Sequence, residues 1–96
     1  MSMIYSIIPD VIRFSHEEAM EVYQHVLRQP HSCTFIIDLH RAVDATTSAF
    51  ARLVLLRKLL RAEGRDLCLV NLQDRVAHLH QINRLMDVLP HLSQPN

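Results

Sequence analysis

The sequence predicts a small α/β domain, a mixed β-sheet covered by helices in the order β-β-α-β-α-β-α. Three observations predict it. The β-rich run Phe35-Ile36-Ile37-Asp38-Leu39 leads through a short polar connection into a helical segment that opens on Thr46-Thr47-Ser48 and closes at Gly64. A second apolar run, Leu67-Cys68-Leu69-Val70, follows at once, so strand, helix and strand succeed one another with short joints, as in a parallel crossover unit. Helical periodicity also returns twice outside this unit, from His16 and from Asp74.

Met3 to Ile8 and Val11 to Phe14 read as short strands separated by a Pro9-Asp10 turn, a pattern that suits a hairpin. From His16 the period becomes helical, with Ala19, Val22, Tyr23, Val26 and Leu27 at three- and four-residue spacing. Ser15 and Glu18 form a capping box, Glu17 and Glu18 favour the positive end of the helix dipole, and Pro30 ends the element. Cys33 to Leu39 is a nearly continuous apolar run, as in a central strand buried on both faces. The next helix runs from about Thr47 to Glu63, with Gly64 at its C-terminal end, before a strand from Leu67 to Leu72. A last helix from Asp74 to Leu89 would bury Val76, Leu79, Ile82, Leu85, Met86 and Leu89. Pro90 stops it, so residues 1–90 form one domain and 91–96 a loose tail.

Composition excludes several classes. Ten Lys+Arg balance ten Asp+Glu in 96 residues, which gives no electrostatic basis for nucleic-acid binding. No apolar run approaches the roughly 20 residues that span a bilayer, and Met1-Ser2-Met3-Ile4-Tyr5 lacks a signal-peptide pattern, so a cytoplasmic protein without membrane insertion is expected. Cys33 and Cys68 then read as buried, reduced thiols. A single glycine rules out a phosphate-cradling glycine loop. His78 and His80 are two apart on a helix and cannot converge on one metal ion; His16, His25, His31, His40 and His91 are scattered, so surface or capping roles are expected and no metal or other cofactor. No nucleophile elbow is present, and no enzyme is expected.

The central helix carries the functional signal. With about 100° per residue and Phe50 as zero, Ala49, Leu53, Leu56 and Leu60 fall between about 240° and 300°, a core-facing stripe with Leu55 and Leu59 beside it. Thr47, Phe50, Val54, Arg57, Lys58 and Arg61 fall in an arc from about 340° through 80°. Such an arc of apolar anchors rimmed by cations, with a hydroxyl at one end, suits a partner-docking surface; the alternative is that Phe50 and Val54 tuck against a neighbouring loop while the cations are solvated. Phosphate on Thr47 would be favoured by the helix N-terminus and would add a charge of about −1.5 to −2 beside the docking arc without melting the helix.

The run Phe35-Ile36-Ile37-Asp38-Leu39, then Thr46-Thr47-Ser48-Ala49-Phe50-Ala51-Arg52-Leu53, then Gly64 and Asp66-Leu67-Cys68-Leu69-Val70, resembles the STAS domain of anti-sigma-factor antagonists. In that family a strand ending in Asp-Leu-Ser precedes Asp-Ser-Ser-Gly-Leu-Gly at a helix start. The resemblance implies phosphorylation within the hydroxyl cluster, with Thr47, Ser48 and Thr46 as candidates, and docking of an anti-sigma kinase-like regulator on the helix that follows. The motif's Asp is Thr46 here and its glycines are Ala49 and Ala51. A second register starting at Asp44 leaves Thr46 as the only hydroxyl, whereas the spacing of Phe50 and Leu53 favours the first. The front third is shorter than is usual for the family. The ending Asn83-Arg84-Leu85-Met86-Asp87-Val88-Leu89-Pro90 also looks like that of the small STAS subunit that binds the ATPase of lipid-transport ABC systems, which implies a transporter ATPase as the other partner.

Overall fold

Phe35 and Ile37 lie two residues apart on a strand and so share one face, while Thr34, Ile36 and Asp38 share the other. That alternation organises the molecule. The computed structural model describes residues 3–29 and 33–92. The expectations for Pro30, for the Cys33 side chain and for residues 93–96 lie outside the described residues.

The elements are β1 (Met3–Ile7), β2 (Arg13–Phe14), α1 (His16–Leu27), β3 (Cys33–Asp38), β4 (Asp44–Ala45), α2 (Thr47–Ala62), β5 (Asp66–Val70), α3 (Asp74–Ile82) and β6 (His91–Leu92). A four-stranded sheet runs in the order β1-β3-β5-β6, and every ladder in it is parallel. Tyr5 pairs with Phe35, Ile37 with Leu69, and Val70 with Leu92. The α/β architecture stands as expected, but the hairpin does not form. Instead β1 pairs with β3, and β2 pairs in parallel with β4 in a separate two-stranded ribbon. The segment after Ile7 does not fold straight back on β1, so the strands it separates enter different sheets.

Each step along the sheet goes the same way, and right-handed crossovers then place every helix on one face. One core cluster accordingly gathers Val22 and Val26 of α1, Phe35 and Ile37 of β3, Leu53, Leu56 and Leu60 of α2, Leu67 and Leu69 of β5, and Val76 of α3. The strand expected to be buried on both faces is covered on one: Phe35 and Ile37 are buried, while Thr34, Ile36 and Asp38 are half-buried.

The helix ends follow from local chemistry. The Ser15 N–H donates to the Glu18 carboxylate at 3.3 Å, and the Ser15 hydroxyl bonds the same group. At the end of α2 the Arg65 N–H reaches Leu60 O at 2.9 Å and the Gly64 N–H reaches Arg61 O at 3.1 Å. With Gly64 at φ 77°, this is a Schellman motif in which glycine takes the left-handed position without a Cβ penalty. The end of α3 repeats the pattern with Leu85 N–H to His80 O at 3.2 Å and Arg84 N–H to Gln81 O at 3.0 Å. Here a non-glycine, Arg84, sits at φ 53°.

That second motif ends the last helix at Ile82, not Leu89. Ile82 and Met86 of the expected buried face are exposed, as is Leu27 at the end of α1. Leu89 is nonetheless buried and Leu85 packs on the core, because the turn carries them back to it. The helical spacing thus outlasted the helix. His91 and Leu92 belong to β6 and not to a tail. His80 corrects the surface reading of the histidines: it is buried, its Nε2–H donates to Leu89 O at 2.7 Å, and its ring meets Phe50 edge-on. Cys68 is a free, buried thiol whose pKa is pushed up by burial and by the Asp66 charge.

Candidate functional site

The entrance of α2 is held by backbone bonds before any side chain acts. Val43 N–H donates to Ile12 O at 2.8 Å and Thr46 N–H to Phe14 O at 3.0 Å, so the β2-β4 ribbon fixes where the helix begins. Ahead of it, Asp38 accepts the His40 N–H at 3.0 Å, His40 Nδ1–H at 2.9 Å and an Asn71 amide hydrogen at 3.1 Å. Burial pushes the Asp38 carboxyl up, but these donors together outweigh it and hold its pKa below the ordinary value. Gln73 bonds His40 O, tying the same loop to the segment after β5.

Thr46 is the N-cap of α2: its Oγ1 accepts the Ala49 N–H at 3.2 Å and lies 3.1 Å from Ser48 Oγ. Asp44, two residues earlier, does not cap the helix and turns its carboxylate to the Ala45 N–H at 2.9 Å. Thr47 and Ser48 occupy the first turn, both exposed. No acidic residue shares that turn, so its positive end is uncompensated by a side chain. Of the three hydroxyls, Thr46 is committed to capping, while Thr47 and Ser48 face solvent.

The docking arc needs correction at Phe50. Its side chain is fully buried in the core, 6.0 Å from His80 in an edge-on pair. It is therefore not a surface anchor. The stripe Ala49, Leu53, Leu56 and Leu60 is buried as expected, but the buried arc extends from it toward Phe50, because α3 closes that side. It does not extend toward Leu55 and Leu59, which are 43% and 41% exposed. The exposed apolar ridge of α2 is thus Ala51, Leu55 and Leu59, four residues apart, with Thr47 and Ser48 at its head.

Val54, Arg57, Lys58 and Arg61 do come together. They line one groove with Asp87 and Val88. Its cations are unequal. Arg57 donates from Nε to Asp66 at 2.9 Å and from Nη1 to Asp87 O at 3.3 Å, and its side chain is only 12% exposed. Arg61 lies 3.5 Å from the other Asp66 oxygen. Lys58 is exposed and forms no ion pair among the described residues. On the opposite flank Ser48, Ala51 and Leu55 line a shallower depression with His16 and Arg52, and the Arg52 guanidinium lies 5.8 Å from the Tyr23 ring centroid. Leu55, Leu59, Asp66, Asp87 and Val88 were not singled out as partner-facing from the sequence. Exposed leucines flanking one side of the helix stripe read as core when the neighbouring helices are unknown.

Among the described residues no group of three potential metal ligands converges, and no helix is long and apolar enough to cross a membrane. The chain is thus a one-sided parallel α/β domain whose second helix carries exposed hydroxyls at its head and an exposed apolar ridge. The STAS domain family matches residues 2–94 of the 96-residue chain, and the chain belongs to it. STAS domains act in regulation and protein–protein interaction. A comparison with curated proteins finds no match.

Proposed function

We propose that this STAS domain is a non-enzymatic, cytoplasmic regulatory module of the anti-sigma-factor-antagonist type. It docks a kinase-like regulator along the outward face of α2 and is switched by phosphorylation of Thr47 or Ser48. The observation that carries this reading is the placement of two exposed hydroxyls at the head of the Ala51-Leu55-Leu59 ridge. Two half-exposed leucines beside Lys58 offer the apolar centre and charged rim of a protein contact. A phosphate there would gain from the helix N-terminus and leave the fold intact, while changing what the ridge accepts. The Val54, Arg57, Lys58 and Arg61 groove extends the contact toward an acidic segment of the partner.

A second reading is favoured by one observation: the wall of that groove is completed by Asp87 and Val88. These belong to the segment that resembles the ATPase-binding STAS subunit of lipid-transport ABC systems. In this reading the same helix docks a transporter ATPase constitutively. Incubation with the cognate kinase followed by phosphosite mapping tests the first reading; modification at Thr47 or Ser48 is expected, and modification only elsewhere refutes it. Recovery of a stoichiometric ATPase with the unmodified chain, lost on Lys58→Glu, would instead support the second.

A further inference from the structure

Independently of α2, we propose that β1 is a homodimerisation edge, pairing antiparallel with β1 of a second copy about Tyr5. β1 is an outer strand of the four-stranded sheet, and among the described residues its only backbone partner is β3. Its other side therefore presents a row of main-chain donors and acceptors, which only another extended strand can match along its length. Edge strands that stay single are blunted by short length, a charge, a proline or a bulge, or are covered by a helix or loop. Here Met3 to Ile8 contains no charged residue and no proline, and Met3 and Ile4 are 62% and 67% exposed.

The occupant is argued from the strand itself. The opposite edge of the sheet, β6, has two residues and cannot match a five-residue edge. A second β1 matches in length and, being uncharged, opposes no like charges across a two-fold axis. Centring on Tyr5, the middle residue, pairs all five positions: Met3 opposite Ile7, Ile4 opposite Ser6, and Tyr5 opposite its copy. Directly opposed residues project to the same face, so Met3 of one copy emerges beside Ile7 on the helix side of the other. A groove lies there, with Ile7, Val11 and Val22 as its apolar lining and Asp10, Glu18 and Glu21 as its acidic wall. The exposed Met3, a flexible apolar side chain, is the group to fill it. The result is an eight-stranded sheet with both helix layers on one side. Five paired residues are a small contact beside the ~800 Å² per partner typical of stable complexes, so the dimer forms reversibly with concentration.

Sedimentation of the full chain over a concentration series tests this. The expected result is a rise from the 11.1 kDa monomer to twice that mass. It should be abolished by Ile4→Lys, which charges the edge, and by Met3→Asp, which sets an acid against that acidic wall. Both sites are exposed, so the circular dichroism spectrum of each variant should match the wild type. Hydrogen exchange should slow at β1 amides in the dimer. A chain that stays monomeric to its highest soluble concentration overturns the proposal. So does a dimer that survives both substitutions, or one whose β1 amides exchange as in the monomer, which would indicate stacking of the open sheet faces.

Discussion

Phe50 and Leu55 stand five residues apart on one helix, and the structure assigns them opposite fates. Phe50 is fully buried against His80 and the core of α2, whereas Leu55 is 43% exposed. Truncating a buried Phe to Ala costs the transfer of the ring and leaves a cavity, together about 3–5 kcal/mol, including about 0.5–1.5 kcal/mol for an aromatic pair. An exposed Leu→Ala change stays within about 0.5 kcal/mol. For a domain of this size each kcal/mol moves the Tm by about 4–8 °C, so Phe50→Ala should lower it by at least ~12 °C and Leu55→Ala by at most ~4 °C. Urea and thermal unfolding followed by far-UV circular dichroism would measure both. Equal losses, or a Phe50→Ala variant as stable as the wild type, would refute the placement of the α2 faces. The consequence for binding is practical: Phe50→Asp would unfold the domain and say nothing of a partner, while Leu55→Asp is the surface probe.

Three further outcomes are expected. Thr46→Ala removes the acceptor for the Ala49 N–H and should cost about 1 kcal/mol in urea unfolding, with Thr46→Ser near neutral. Arg84→Gly should stabilise by about 1 kcal/mol, because it relieves a left-handed non-glycine in the Schellman turn that ends α3; an unchanged or lower midpoint in denaturant would contradict this. Stability should fall with acid in two stages. Burial, with a smaller contribution from the His80 charge, holds the His91 pKa below its ordinary 6.5. The unfolded chain therefore binds a proton first, and stability drops as pH falls below about 6.5 toward the lowered native value. Asp38, with its folded pKa below 3.8, contributes stability that is present above that value and is lost as pH falls through the native pKa. Urea midpoints measured against pH should lose the upper stage in His91→Gln and show a smaller lower stage in Asp38→Asn. The rest of that stage comes from Glu18, whose bonds to Ser15 also hold its pKa down.

The crossover from β3 through α2 to β5 was legible because each element carries its own period and its own stop signal. Phe35 and Ile37 alternate, Ala49, Leu53, Leu56 and Leu60 repeat on the helical wheel, and Gly64 closes the turn. The partnering of β1 was not legible. A Pro-Asp turn between two short apolar runs looks the same whether the strands pair with each other or separately with β3 and β4. The end of α3 escaped because Leu85 and Leu89 keep the helical spacing while reaching the core through a turn, and the residue at the left-handed position is an arginine and not a glycine. At the site, the hydroxyl cluster and the Val54, Arg57, Lys58 and Arg61 set were read from residue type and spacing alone. The exchange of Phe50 for Leu55 and Leu59 was not, since a wheel gives the angles between side chains but not where neighbouring helices stand. The Arg57–Asp66 pair likewise joins a helix to a strand, and no local spacing announces it.

The length of α2 separates the two functional readings. At 1.5 Å per residue, Leu55 stands about 12 Å along the axis from Thr47, and Lys58 about 16 Å. At physiological ionic strength exposed charges are screened over about 8 Å. A phosphate, or the carboxylate of Thr47→Glu, therefore acts on whatever covers Ser48 and Ala51, reaches Leu55 weakly, and leaves the Lys58 and Arg61 groove nearly untouched. A regulator switched by phosphorylation has to cover the first turns of α2, and its capture in a pull-down should fall at least about tenfold with Thr47→Glu, the size of a like-charge or desolvated contact of about 1.4 kcal/mol. A constitutive ATPase seated on the groove with Asp87 and Val88 should bind Thr47→Glu as it binds the wild type and should instead lose affinity with Lys58→Glu. If neither substitution alters capture of a partner that Leu55→Asp releases, the charges at both ends of the helix are bystanders and the ridge alone makes the contact.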